Sequence, residues 1–296
     1  MSSAAEIAVA LDLRRVLGRQ EWRGACPACG YRAGLVLADK EGRAVWWCAS
    51  CQDQDGVTAA IRQALGGSWT PPQALRRQPA ATASTAHRTA LARDRWNAAL
   101  PHSGTLVDRY LAARGLAGVQ SAALRFHPAA PHPNGARLPA MIAAVRATGT
   151  GELQAIHRTY LRHDGSGKAA IEPAKASLGP VAGGAVQLDA LQPGTPLVIG
   201  EGIESSLSAA RIIGGTAWCA ISAGNLAALP LPALPAAAVV VIAADPDAPG
   251  RRAAATAARR WHAEGRQVRI AAPENLDTDF NDMLRARLAA SESNHG

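Results

Sequence analysis

Aromatic residues are scarce in this chain: Phe, Trp and Tyr make up 4% of 296 residues, while the 48% hydrophobic content rests heavily on alanine. That composition points to a GC-rich coding sequence more than to a special function. A secretory leader is not expected either. The opening "MSSAAEIAVALDLRRVLGR" carries acids and arginines throughout and has no continuous apolar core, so no signal peptide is expected. The longest uncharged run, Leu226 to Ala244, approaches the length of a membrane span. It holds three prolines in its first half and ends on acids, so it is expected to be a proline-rich loop running into a buried strand. No membrane contact and a cytoplasmic location follow as expectations. No internal repeat is visible. Acidic residues are the minority charge, 23 against 31 Lys and Arg, giving a formal charge of +8. This balance favours a polyanionic partner, most simply nucleic acid.

Among what is present, the cysteines are the most patterned. Four of the five fall in two pairs, "CPAC" (Cys26, Cys29) and "CASC" (Cys48, Cys51), with 18 residues between the pairs. Each pair can offer two thiolates from one tight turn, and two such turns make a tetrahedral zinc site. The intervening stretch is expected to form two short strands joined by a turn at Asp39 to Gly42, the outline of a zinc ribbon. Disulfides are disfavoured in a cytosolic setting, and a redox site needs only one pair. Around the ribbon, Arg23, Arg32, Lys40, Arg43, Trp46 and Trp47 could grip a nucleic-acid strand by charge and stacking. The tryptophans serve equally well as the ribbon's small core. Cys219 lies in the apolar run "TAWCAIS" and is expected to be an inert buried thiol.

The ribbon with its flanking helices is expected over residues 1–68, including a short helix in "DGVTAAIRQALGG" that ends at Gly66. Residues 69–90 mix Pro, Ala, Thr and Arg without apolar periodicity and read as a linker. An α+β region follows over 91–195, with helices in "ALARDRWNAAL" and "LVDRYLAARGL" and strands in "ALRFHP", "LPAMIAAVRA" and "LQAIHRTYLR". From residue 196 to 290 strands and helices alternate. Near-continuous apolar strands separated by amphipathic helices imply a parallel α/β sheet covered on both faces. Sites in such sheets form beyond the carboxyl ends of the strands.

Two of those strand ends carry acids. "LVIGEG" delivers Glu201 between Gly200 and Gly202, and "VVVIAADPDAPGR" delivers Asp245 and Asp247 on either side of Pro246. Residues i and i+2 of an extended segment face one way, so both aspartates can address a single ion, and Pro246 stiffens the strand exit. Hard carboxylate oxygens suit Mg²⁺ or Mn²⁺, and such an ion can in turn bind substrate phosphates. Asp247 also stands where it could cap a Pro-initiated helix; Asp245 has no such second explanation. A third acidic cluster, "DTDFND" (Asp277, Asp279, Asp282), is either a further contributor of ligands or a capped helix start.

A strand ending in Glu-Gly and a later strand ending in Asp-x-Asp resemble the Toprim domain of bacterial-type primases, topoisomerases and some nucleases. "EGIES" and "DFNDML" are most similar to the Toprim primases of phages, plasmids and integrated elements. "YLAARGL", "LRFHP", "IHRTYL" and "GPVAGGAVQL" resemble the region that precedes Toprim in those proteins. The resemblance implies a Rossmann-like Toprim domain preceded by an α+β primase subdomain and a zinc ribbon. It implies a DNA primase that copies single-stranded DNA into short RNA primers from nucleoside triphosphates, with Glu201 as general acid or base and Glu201, Asp245 and Asp247 as the set that holds Mg²⁺ or Mn²⁺. Arg158, Arg162, Lys168 and Lys175 are candidates to guide template or triphosphate. The sequence departs from the replicative primases at two points. The ribbon has four cysteines where those proteins usually include a histidine, and Ser205 replaces an aspartate four residues after the glutamate. Glu204, beside it, is therefore a candidate additional ligand, as are Asp279 and Asp282. No helicase segment follows the Toprim-like region, so unwinding is expected from a separate replicative helicase. A Toprim nuclease and a non-catalytic single-strand-binding accessory are the alternatives. A topoisomerase needs a nucleophilic tyrosine in an additional domain, and Tyr31, Tyr110 and Tyr160 are the only tyrosines.

Overall fold

The computed structural model describes residues 3–28, 34–48, 54–67, 81–275 and 277–293. Cys29, Cys51, Tyr31, Arg32 and most of the expected linker lie outside the described residues. The chain divides into two units, Met1–Ala81 and Thr82–Gly296.

In the first unit, helix α1 (Ala4–Ala10) begins with a capping box in which Ser3 and Glu6 satisfy each other's backbone N–H groups. Strands β1 (Arg14–Arg15), β2 (Glu21–Gly24), β3 (Leu35–Lys40) and β4 (Arg43–Cys48) form one antiparallel sheet in that order. The β3–β4 turn falls at Asp39–Gly42 as expected: Glu41 and Gly42 take positive φ, and the Gly42 N–H donates to Asp39 Oδ1 at 2.8 Å. Helix α2 (Gln54–Ala64) follows, and its Val57 and Ile61 join Ile7, Leu35, Leu37, Cys26 and Cys48 in the core. The two neighbouring tryptophans divide according to strand alternation. Trp46 is buried and donates its indole N–H to Thr58 Oγ1 at 3.1 Å, whereas Trp47 is 43% exposed.

The second unit opens with helix α3 (Ala81–Asn97), so residues 81–90, assigned to the linker from sequence, are helical instead. Its amphipathicity is too weak to show in the sequence. Partners far along the chain hold it: Ala92 and Trp96 are buried, Thr89 Oγ1 donates to Gln154 O at 3.1 Å, and Arg93 Nε to Leu153 O at 3.1 Å. Then come β5 (Leu100–Pro101), α4 (Leu106–Ala113), β6 (Leu124–Pro131), β7 (Arg137–Ala147), β8 (Leu153–Tyr160), β9 (Lys175–Leu178) and β10 (Gly184–Gln187). The parallel region holds β11 (Leu197–Gly200), α5 (Ile203–Ile213), β12 (Thr216–Cys219), α6 (Ala223–Ala228), β13 (Val239–Ala243), α7 (Ala248–Ala263), β14 (Gln267–Ala271) and α8 (Phe280–Ser293).

All ten strands from β5 onward belong to one sheet, ordered β14-β13-β11-β12-β10-β7-β6-β5, with β8 on β7 and β9 on β8. The α+β and parallel regions therefore share a sheet. The joint is β10, antiparallel both to β12 (Val186 opposite Cys219) and to β7 (Ala185 opposite Arg146). The strands β14, β13, β11 and β12 run parallel; β13, β11 and β12 are buried on both faces, as their apolar runs require, while β14 is the exposed edge. Helices α5 and α8 cover one face with Ile203, Leu207, Phe280 and Leu284 against Val198 and Val241. Helices α6 and α7 cover the other with Leu226, Ala254 and Trp261 against Ile199 and Ile242. Among the described residues, no helix is long and apolar enough to cross a membrane.

Candidate active site

The register of the parallel strands assembles the acids. Gly200, the last residue of β11, lies beside Ala243 of β13 on one side and Cys219 of β12 on the other. Glu201 and Asp245 therefore leave adjacent strands at the same carboxyl edge. A side chain at Gly200 would be tightly crowded, since a Cβ there would lie 3.0 Å from both Ala243 O and Ser206 Oγ. Cys219 donates its thiol hydrogen to Glu201 O at 3.1 Å, and burial pushes the thiol up to about 12. It stays protonated, inert as a nucleophile, yet tied to the backbone of the glutamate.

Asp247 does cap α7: its Oδ1 accepts the Gly250 N–H at 2.7 Å, while the residue remains exposed. The helix start presses on Asp245, because a Cβ at Gly250 would lie 2.9 Å from Asp245 O and 3.0 Å from Asp245 Cβ. The third acidic cluster is a capped helix start. Asp282 N–H donates to Asp279 Oδ1 at 2.9 Å and Asp279 N–H to Asp282 Oδ2 at 3.2 Å, just before and within the first turn of α8. Asp279 is also a neighbour of the strand-end acids. Ser205, in place of the aspartate of replicative primases, donates to its Oδ2 at 3.4 Å. Burial first, then the charges of Asp247 and Asp279, push Asp245 up to about 6.

Carboxylates gathered at one strand edge, where burial and the charges of Asp247 and Asp279 raise Asp245, fit a hard divalent cation. Among the described residues, no three His, Cys, Asp or Glu side chains are grouped so as to hold a metal ion by themselves. The arrangement suits an ion such as Mg²⁺ that keeps several waters and takes one or two carboxylates. In the first unit, Cys26 and Cys48 are buried in one core cluster, and their partners in the expected four-cysteine set lie outside the described residues.

Glu204, the candidate additional ligand, is engaged elsewhere. It sits buried in the first turn of α5, where Oε1 accepts from Tyr110 of α4 and lies 3.3 Å from Lys168 Nζ, while Oε2 lies 3.8 Å from Lys175 Nζ. Burial opposes its charge, but Lys175, Lys168 and the Tyr110 hydroxyl outweigh burial and hold the carboxyl well below its usual range. In return Glu204 raises Lys175, whereas burial lowers Lys168. Lys175, Glu201 and Glu204 line a cavity of about 30 Å³ together with His157, Thr159 and Cys219. His157 is driven down to about 3 by burial and by Lys175, so it is neutral, with Nδ1 2.9 Å from Ser177 Oγ. Tyr110, His157 and Thr159 were not legible as site residues. The one local signal is the strand alternation that puts His157 and Thr159 on the same side of β8.

The four basic candidates separate. Lys168 and Lys175 reach the acidic edge, and Arg162 is exposed in the turn after β8. Arg158 lies on the opposite face of the sheet, its guanidinium donating to Pro131 O at 2.7 Å and to Ala176 O and Ser177 O at 3.4 Å. There it borders a groove of about 200 Å³ with an apolar floor of Ile142, Ile156 and Leu178 and with Arg95 and His127 on its rim.

A parallel sheet with a glutamate and an aspartate pair at the ends of adjacent strands is the arrangement of the Toprim class, and residues 196–290 match the family described as "Toprim domain". The chain carries a Toprim domain. Residues 86–188 match a second family, described as "Domain of unknown function (DUF7146)". No curated protein sequence matches the chain. Among solved structures, it is similar to a DnaG primase catalytic domain bound to ssDNA, at 17% identity over 72% of this chain and 83% of that one, TM-score 0.46. It is similar to the zinc-binding and RNA polymerase domains of the Aquifex aeolicus primase, at 11% identity over 99% of this chain and 85% of that one, TM-score 0.46. It is also similar to the primase fragment of the bacteriophage T7 primase-helicase protein, at 14% identity over 90% of this chain and 94% of that one, TM-score 0.37.

Proposed function

We propose that the protein is a DNA primase that synthesises short RNA primers on single-stranded DNA by metal-dependent nucleotidyl transfer. The observation that carries this reading is the placement of two opposite charge sets at one sheet edge. Glu201, Asp245 and Asp247 stand at the ends of adjacent parallel strands, and Lys168 and Lys175 gather on Glu204 beside them. Nucleotidyl transfer needs both, carboxylates for a divalent cation and ammonium groups for triphosphate oxygens.

In this reaction the 3′-hydroxyl oxygen of the primer attacks the α-phosphorus of the incoming triphosphate. A phosphodiester P–O bond forms, the bond to the bridging oxygen breaks, and pyrophosphate leaves. Glu201 takes the hydroxyl proton, directly or through a water. Asp245 and Asp247 hold Mg²⁺ or Mn²⁺, which when bound neutralises the charge of the phosphates. Lys168 and Lys175 orient the triphosphate. The groove rimmed by Arg95 and Arg158, with the exposed Arg162, offers cationic surface to the template.

Cys26, Cys29, Cys48 and Cys51 hold a structural zinc in a ribbon that grips or selects the template. About one zinc per chain on metal analysis, lost in Cys48→Ser, is the expected result; no zinc in purified protein sinks the ribbon. The enzyme is of the phage, plasmid or integrated-element type, acts in the cytoplasm, and relies on a separate replicative helicase.

The deciding experiment incubates the protein with single-stranded DNA, labelled ribonucleoside triphosphates and Mg²⁺ or Mn²⁺. Short labelled oligomers, absent with Glu201→Ala, are the expected outcome. Shortening of the template in their place makes the protein a Toprim nuclease, and strand binding with neither product makes it an accessory.

A further inference from the structure

Glu204 is unusual for a carboxylate so close to a candidate metal edge. It is buried, both oxygens are engaged, and every partner is a donor: the ammonium groups of Lys168 and Lys175 and the hydroxyl of Tyr110. The partners come from α4, from the segment after β8 and from β9, so three separate parts of the chain converge on one turn of α5. The charges do not balance. Within the cluster one carboxylate faces two lysines, and Lys175 and Glu204 reach the wall of a cavity that also carries Glu201, His157 and Thr159. Both lysines keep part of their side chains exposed, 28% for Lys168 and 36% for Lys175, against 8% for Glu204. The anchor is inside and both ammonium groups turn toward it, while the rest of each lysine side chain keeps some exposed surface.

The acids at the strand ends would otherwise attract those heads. Asp245, Asp247 and Asp279 crowd the neighbouring edge, and long lysine side chains free of an anchor would swing toward them and compete with a divalent cation. A fixed internal counter-ion keeps the two charge sets apart.

We propose that Glu204 is a positioning residue, not a metal ligand: it holds Lys168 and Lys175 as a two-ammonium seat for the phosphates of a nucleoside triphosphate. This deepens the nucleotidyl-transfer reading and rests on it for the use to which the phosphates are put. Tyr110 completes the seat from below by donating to the carboxylate oxygen that Lys168 also shares.

The test measures two bindings separately on the full chain, with no turnover required. The probe for the seat is the α,β-methylene analogue of ATP, titrated calorimetrically with Mg²⁺ present. The probe for the metal edge is Mn²⁺ alone, followed by its paramagnetic resonance signal. Glu204→Gln should weaken analogue binding about tenfold, the scale of a lost charge-assisted contact, and leave Mn²⁺ binding unchanged. Loss of Mn²⁺ affinity with analogue binding intact makes Glu204 a ligand and overturns the proposal. Because Glu204→Gln leaves two lysines without their buried counter-ion, Lys168→Met serves as the second variant: it keeps a one-to-one pair with Lys175. It should weaken analogue binding severalfold, and the Glu204→Gln/Lys168→Met double should lose less than the product of the two single losses. Strict multiplication of the two, or no effect of Lys168→Met, also overturns the proposal. If analogue binding behaves as stated but the protein makes no primers, the seat stands and the primase reading fails.

Discussion

The two faces of β8 differ by one residue of alternation and almost entirely in electrostatics. His157 and Thr159 look toward the strand-end acids, onto a cavity of about 30 Å³ where Lys175 is paired with Glu204 beside Glu201. Ile156 and Arg158 look the other way, onto an apolar groove of about 200 Å³. Around that groove the cations crowd one another: Arg95 and Arg137 help burial to lower His127, and Arg95 helps burial to lower Arg158. Among the described residues, no salt bridge involves Arg95, Arg137 or Arg158. One face has its charges arranged in fixed geometry, which suits chemistry. The other has a diffuse positive field over apolar surface, which suits holding a polyanion by charge and contact.

The largest effects that test this contrast lie on the acidic face. Asp245→Asn should cut nucleotidyl transfer about a thousandfold, the scale of removing a group aimed at transition-state charge, with binding of single-stranded DNA unchanged. Parallel loss of strand binding would erase the division of labour between the faces. A smaller effect belongs to the groove. Arg95→Met should weaken strand binding severalfold and lower the slope of log affinity against log salt by about 0.7, one phosphate contact for a single strand. Binding of the triphosphate analogue should not move. An unchanged slope would leave the groove without a phosphate.

Stability provides the next, on a finer scale. Asp245 is pushed up to about 6 from a model-peptide value of 3.8, so the folded, metal-free chain holds that proton more tightly than the unfolded one. Wild-type stability therefore falls as pH rises from the lower value through the upper, where the crowded carboxyl must ionise. Asp245→Asn escapes this cost and should be more stable than wild type by about 1 kcal/mol at pH 7.5 in chelator, a typical gain from relieving a functional site. The gap should close as pH drops toward 4. A gap that persists at low pH would assign the gain to packing instead of charge.

How much of this was legible in the sequence follows from where each partner lies. Glu201, Asp245 and Asp247 announce themselves because each ends an apolar run, and parallel register does the rest. Asp247 as a cap and Asp279 with Asp282 as a helix start are also local, read from spacing to the next helix. Glu204 was legible as a candidate ligand but its partners were not: Tyr110 lies 94 residues away, and no local pattern predicts that both lysines turn inward. Lys168, Lys175 and Arg158 look alike in sequence, and only the pleat of β8 and the pairing of β9 send them to different faces. Short, glycine-bearing β10 carries no alternation to betray that it joins two halves into one sheet. The start of α3 was hidden for the same reason as the role of Glu204, since the carbonyls that hold the helix belong to β8.

Cys219 sharpens the contrast at its smallest scale. The thiol is fully buried, pairs by register with Gly200, and donates to the carbonyl of Glu201 across the strand gap. Its raised affinity for its proton rules out nucleophilic use at neutral pH, so any effect of removing it must act through Glu201. Cys219→Ala deletes a weak donor and one heavy atom from a cavity wall; Cys219→Ser keeps a donor and shortens the reach. If the bond steers the glutamate, Cys219→Ala should lower kcat for primer extension about threefold at unchanged KM, while Cys219→Ser recovers most of it, the range expected from one weak hydrogen bond acting on a catalytic group. Equal losses in both variants would mean that the sulfur matters for filling space between β11 and β12, and the orientation of Glu201 would then rest on Gly200 and the register alone.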